Sequence, residues 1–119
     1  MVQLLVKGTR TEVEMLTLIQ WSFRDEKVVY SKHARDEMEM EEFGEIKERE
    51  VYEAVSNGKV IEDYVDDEPY PSCLIYGETD RSRTLHVVCA YATDEELAIV
   101  ITVYQPNPMK WINYERRKL

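Results

Sequence analysis

The sequence is poor in the residues that build most recognisable sites. Cys73 and Cys89 are its two cysteines, too few for a disulfide framework and without the close C-x2-C pairing of a zinc site. A ligand set of His33, Cys73, His86 and Cys89 can be drawn on paper but lacks that pairing, so both cysteines are expected as small core residues. Four scattered glycines make no phosphate loop. Glu62, Asp63, Asp66, Asp67 and Glu68 lack the spacing of a calcium loop and read as a polar hairpin rim. No metal or cofactor is expected. No apolar run approaches the roughly 20 residues needed to span a bilayer. Met1-Val2-Gln3-Leu4-Leu5-Val6 is too short for a secretory h-region, and Lys7-Gly8-Thr9-Arg10 follows it instead of a cleavage site. A reduced, cytoplasmic protein without a membrane partner is the expectation.

What is present fits one α+β domain over residues 1–119. Apolar residues make up 44% of the chain and charged residues 33%, a composition that folds, and the length suffices for a core. The formal net charge is −9, yet it is unevenly spread. Asp36 to Glu68 holds 14 acidic and three basic residues, a net of −11, which leaves +2 elsewhere. Uniform acidity would repel RNA, whereas segregation allows a neutral-to-basic face beside an acidic flank. That flank is either a solvated face or a docking surface for a basic partner.

The period of the apolar residues changes along the chain. Thr11 and Glu14 have capping-box spacing, which predicts a helix from Thr11 to Asp25 with Met15, Leu16, Ile19 and Phe23 inward. Ser31 caps a second helix from Lys32 to Glu41. A third runs from Glu48 to Ser56, with Ile46 and Val51 placed as a hydrophobic staple and Asn57-Gly58 ending it. From Lys59 the period is two. Lys59–Val65, Ser72–Glu78, Thr84–Ala92 and Leu97–Tyr104 read as four strands joined by moderate loops, hence a four-stranded antiparallel meander with helices on one face. Pro106 and Pro108 stop the last strand. Trp111 and Tyr114 are expected to pack back onto the domain, while Arg116-Arg117-Lys118 is expected to fray.

Several blocks together carry a resemblance. Tyr30-Ser31 with His33-Ala34, Val51 with Ala54-Val55 and Gly58, Ile61-Glu62 with Tyr64, Pro71-Ser72-Cys73-Leu74-Ile75-Tyr76-Gly77, Leu85-His86-Val87-Val88, and Ile101-Thr102-Val103-Tyr104 with Pro106, Pro108 and Trp111 resemble a bacterial and archaeal domain-of-unknown-function family. That family is regarded as distantly related to the RelE/ParE-like toxins and is often encoded beside a small zinc-finger antitoxin-like protein. The resemblance implies a RelE-like two-layer core over residues 30–111, an N-terminal helical extension over 1–29 and a basic tail over 112–119. It further implies a toxin acting on RNA or the ribosome and held by an antitoxin-like partner. Arginines are usual in the family where Glu37 and Glu41 stand here, and the segment Glu42-Phe43-Gly44-Glu45 lengthens the loop that follows.

Metal-independent RNA cleavage needs a base for the ribose 2′-hydroxyl, an acid for the leaving oxygen and cations around the phosphate. His33, His86, Tyr104 and Arg83 are the candidate catalytic residues, with Arg81 and Lys110 as further phosphate contacts. His86 alternates with Leu85 and Val87, so it faces outward if they face the helices. The alternative for each histidine is a structural role: a hydrogen-bonded strand residue for His86, a helix start for His33. The second functional reading is accordingly a non-catalytic interaction module that binds a protein through its acidic flank and sheet edge. A third is self-association through the first strand, giving a homo-oligomer.

Overall fold

Thr11 opens the first helix in the computed structural model, which describes residues 11–119; the reading of Met1–Val6 and the part of the predicted extension before Thr11 lie outside the described residues. Its hydroxyl accepts from the Glu14 N–H at 3.1 Å while the Glu14 carboxylate accepts from the Thr11 N–H, a full capping box starting α1 (Glu12–Arg24). After β1 (Val28–Tyr30), Ser31 accepts from the Ala34 N–H and starts α2 (Lys32–Met40). The Glu50 carboxylate accepts from the Lys47 N–H at the head of α3 (Glu48–Ser56), where Ile46 and Val51 are both buried.

The sheet differs from the expected four-stranded antiparallel meander: it has five strands and is mixed. β2 (Lys59–Tyr64), β3 (Ser72–Glu78), β4 (Thr84–Ala92) and β5 (Leu97–Tyr104) are antiparallel neighbours in the order β5-β4-β3-β2. β1 then adds to β5 in parallel, Val28–Tyr30 facing Ala98–Val100. Three residues are too few to show a period, and the parallel partner lies 70 positions away, so neither neighbour nor pattern announces this strand. β2 forms the opposite edge.

Beyond β1 the edge of β5 is finished by side chains of the second helix. Ser31 donates to the Ile101 carbonyl at 3.0 Å, and the Glu37 carboxylate accepts from the Val103 N–H at 3.0 Å. The Glu41 carboxylate accepts from the Gln105 N–H. Buried backbone donors need partners, and the i, i+4 spacing of Glu37 and Glu41 matches alternate residues of the strand. The two glutamates, which cost the surface positive charge, therefore complete a sheet edge.

The core lies between helices and sheet. Ile19, Phe23, Ala34, Met38, Val51 and Val55 meet Cys73, Ile75, Leu85, Val87, Cys89, Val100 and Val103. Contact is closest under α3. A Cβ on Gly77 would overlap the Ala54 backbone, and one on Gly58 would stand 2.5 Å from Ile75 Cγ2 and 2.8 Å from the Ala54 carbonyl. Gly58 thus serves a close approach of helix and strand. Among the described residues no helix is long and apolar enough to cross a membrane.

Candidate functional site beneath the C-terminal hairpin

The face of the sheet away from the helices carries Tyr76, His86 and Tyr104 as cross-strand neighbours on β3, β4 and β5. His86 points to this face, as its alternation with Leu85 and Val87 requires. It is nevertheless fully buried, because the chain returns after Pro108 as a small hairpin, β6 (Trp111–Ile112) and β7 (Arg116–Arg117). Trp111 packs on the imidazole with ring centroids 4.4 Å apart and edge-to-face geometry. Arg117 covers Trp111 in turn, its guanidinium 4.7 Å from the ring centroid, and pairs with Glu62 on β2 at 2.9 Å. The terminal basic residues are therefore a paired strand where fraying was expected: the cation–π contact and the ion pair hold them.

The hairpin turn fixes the state of the histidine. Asn113 and Tyr114 both adopt positive φ, 53° and 63°, the pattern of a primed turn that matches strand twist. This aims the Tyr114 carbonyl at His86 Nε2, 2.6 Å away. A carbonyl only accepts, so Nε2 carries the hydrogen. Nδ1 of the neutral ring is then an acceptor, and the Tyr104 hydroxyl, 3.1 Å away, donates to it. Burial pushes the His86 pKa down to about 4, against the partial support of the Tyr114 carbonyl and Glu62. Burial likewise raises the Tyr104 phenol to about 12. Glu62 stays below its usual carboxylate value although burial opposes this, because Arg117 and Tyr64 both donate to it.

The four candidate catalytic residues do not assemble. His86 and Tyr104 touch. His33 sits in the first turn of α2, 65% exposed, with Nε2 3.3 Å from Glu37. Arg83 is bound elsewhere: Nε donates to the Gln105 side-chain oxygen at 2.8 Å, and the two terminal nitrogens reach the Gly44 and Glu45 carbonyls and the Glu50 carboxylate. These bonds fasten the lengthened loop at 42–45 to the end of β5. His86 as an outward base is also corrected, since Trp111 and the Tyr114 carbonyl close over it.

Beside the hairpin lies a cleft of about 320 Å³ lined by Glu42, Phe43, Tyr104, Gln105, Asn107, Lys110, Trp111 and Arg117. The amide oxygens of Gln105 and Asn107 are already used, by Arg83 Nε and by the Met109 N–H at 2.8 Å. Their amide nitrogens have no hydrogen bond among the described residues. Sequence reasoning named Lys110 and Tyr104 but missed Gln105, Asn107 and Arg117. The one available signal was the basic triplet standing just after Trp111.

A family model for a domain of unknown function, DUF4258, matches residues 30–105. The chain belongs to this family. Comparison with curated proteins and with solved structures found no significant match. The DUF4258 segment contains His33, Arg83, His86 and Tyr104, but ends before the hairpin. Everything that seals His86, namely Trp111, Tyr114 and Arg117, therefore comes from chain beyond the DUF4258 match.

Proposed function

We propose that this DUF4258 chain is a non-catalytic protein-interaction module on a RelE-like two-layer scaffold, which binds an antitoxin-like protein and leaves RNA intact. The observation that carries the reading is the closure of His86. A general base needs access to its proton and a pKa near the working pH. His86 has both nitrogens engaged and a pKa lowered to about 4. The remaining histidine, His33, stands apart from it beside Glu37.

The binding surface in this reading is the acidic helical layer. Met40 stands 79% exposed at the end of α2, flanked by Glu39 and Glu42, neither of which has a cationic partner among the described residues. An exposed apolar side chain between unpaired carboxylates suits a basic segment with an apolar anchor. Calorimetric titration against the product of the adjacent gene tests this. Tight binding that Glu39→Lys weakens at least about tenfold and His33→Ala leaves alone supports it. Binding indifferent to Glu39→Lys counts against the surface.

The second reading is the RelE-like toxin acting on RNA or the ribosome. In its favour is the positive charge of the hairpin, where Lys110, Arg116, Arg117 and Lys118 outnumber Glu115. Growth arrest on induction, relieved by the neighbouring protein, would favour that reading.

A further inference from the structure

We propose that the cleft between the loop at 42–45 and the β5–β6 connection binds a nucleotide-type ligand, gripping a phosphate group with a cation and amide donors. This goes beyond protein binding by the helical layer and uses different residues.

Several hydrogen-bonding roles around the cleft remain open. Gln105 and Asn107, which both line the cleft, each accept internally with the side-chain oxygen, from Arg83 Nε and from the Met109 N–H, and neither amide nitrogen has a hydrogen bond among the described residues. Lys110 is exposed on the rim with no carboxylate partner among the described residues. Arg117 adds a second cation whose charge Glu62 partly balances. Two amides and an ammonium without a carboxylate partner line one cavity, a set that suits an oxyanion, since charge-assisted bonds to phosphate are the strongest such donors make.

The remaining lining narrows the class. The Tyr104 hydroxyl gives its proton to His86, which leaves its oxygen as an acceptor. Glu42, which lines the same cleft, supplies another acceptor. Two acceptors near a phosphate grip suit the hydroxyl groups of a ribose. Phe43, also in the lining, is 51% exposed and offers a ring for a base to lie on. The volume of about 320 Å³ stands at the small end of ligand sites, roughly 300–1,000 Å³, and fits one nucleotide better than a chain of them.

The phosphate could come from a free nucleoside monophosphate or from the end of an RNA. Titrations of the whole chain followed by amide NMR separate these sources, using adenosine, inorganic phosphate, adenosine 5′-monophosphate and a short RNA with and without a 5′-phosphate. The proposal expects saturable shifts at Tyr104, Gln105 and Lys110 with the monophosphate. Adenosine should bind at least about tenfold more weakly, and added salt should weaken the monophosphate. Binding of the RNA only when 5′-phosphorylated, and more tightly than the monophosphate, assigns the site to RNA ends; the reverse order assigns it to free nucleotides. Lys110→Glu, at an exposed position that does not disturb folding, should abolish the shifts at Tyr104 and Gln105, and Glu42→Ala should weaken the monophosphate but not inorganic phosphate. Absence of shifts at 10 mM monophosphate, equal binding of adenosine, or undiminished binding by Lys110→Glu would overturn it.

Discussion

Tyr104 donates its hydroxyl proton to His86 Nδ1 across 3.1 Å, because the other ring nitrogen lies 2.6 Å from the Tyr114 carbonyl and has to carry the imidazole hydrogen. The relay runs in one direction, from phenol to imidazole to backbone. It needs no charge on any member, and it ties β5 to β4 and β4 to the C-terminal hairpin. A residue pair that looks like an acid and a base in the sequence is thus a neutral strut, and the Tyr114 backbone held at positive φ is part of what sets it.

The first consequence is a pH dependence of stability. His86 titrates near 4 when folded and near 6.5 when unfolded, so as pH falls through that window the unfolded chain takes up the proton first. Its contribution is complete above pH 6.5 and is lost on the way down to 4. Urea unfolding should show about 2 kcal/mol less stability at pH 5 than at pH 7 from this group, and a His86→Gln variant should lack that slope. Direct NMR titration should find the ring neutral, with its hydrogen on Nε2, throughout pH 5–8.

Removing the phenol tests the same strut from its other end. Tyr104→Phe leaves Nδ1 without a donor in a buried site and should lower stability by about 1–2 kcal/mol, measured by urea unfolding at pH 7. No change would mean that water enters and replaces the hydroxyl.

Much of the architecture was legible because local rules agree with the final packing. Thr11 with Glu14 announced α1, Ile46 with Val51 framed α3, and the two-residue period located β2 to β5 to within a residue. Alternation with Leu85 and Val87 also told which face His86 would take. The cover on that face was not legible. It depends on a turn at Asn113-Tyr114 without the glycine that usually marks a primed turn, and on a contact between residues 28 positions apart. The partners of Arg83 were not legible for a related reason: its acceptors at Gly44, Glu45 and Glu50 lie more than 30 positions away, and nothing near Arg83 in the chain hints at them. Glu37 and Glu41 looked like lost positive charge. Only the unpaired edge of β5 explains them.

That edge gives a clear substitution test. Val103 is fully buried and its N–H has the Glu37 carboxylate as acceptor. Glu37→Ala should cost about 1–2 kcal/mol, while Glu37→Gln, which keeps an oxygen in place, should cost roughly half of that or less. Thermal unfolding of both variants decides it. Equal losses would mean that the charge matters and the hydrogen bond does not.

Arg83 should be sensitive to shape as well as charge. Its planar fork serves Gln105, Gly44, Glu45 and Glu50 together, which an ammonium cannot imitate. Arg83→Ala should destabilise by about 2–3 kcal/mol, and Arg83→Lys should recover less than half of the loss. Full recovery by lysine in chemical unfolding would reduce the residue to a simple counter-ion.

The most direct measurement is incubation of the purified chain with RNA in metal-free buffer at pH 7, beside His33→Ala and Tyr104→Phe variants. The sealed, neutral His86 predicts that the wild type cleaves no faster than either variant. Cleavage by the wild type that one of these substitutions abolishes, in protein that remains folded, would contradict the non-catalytic account.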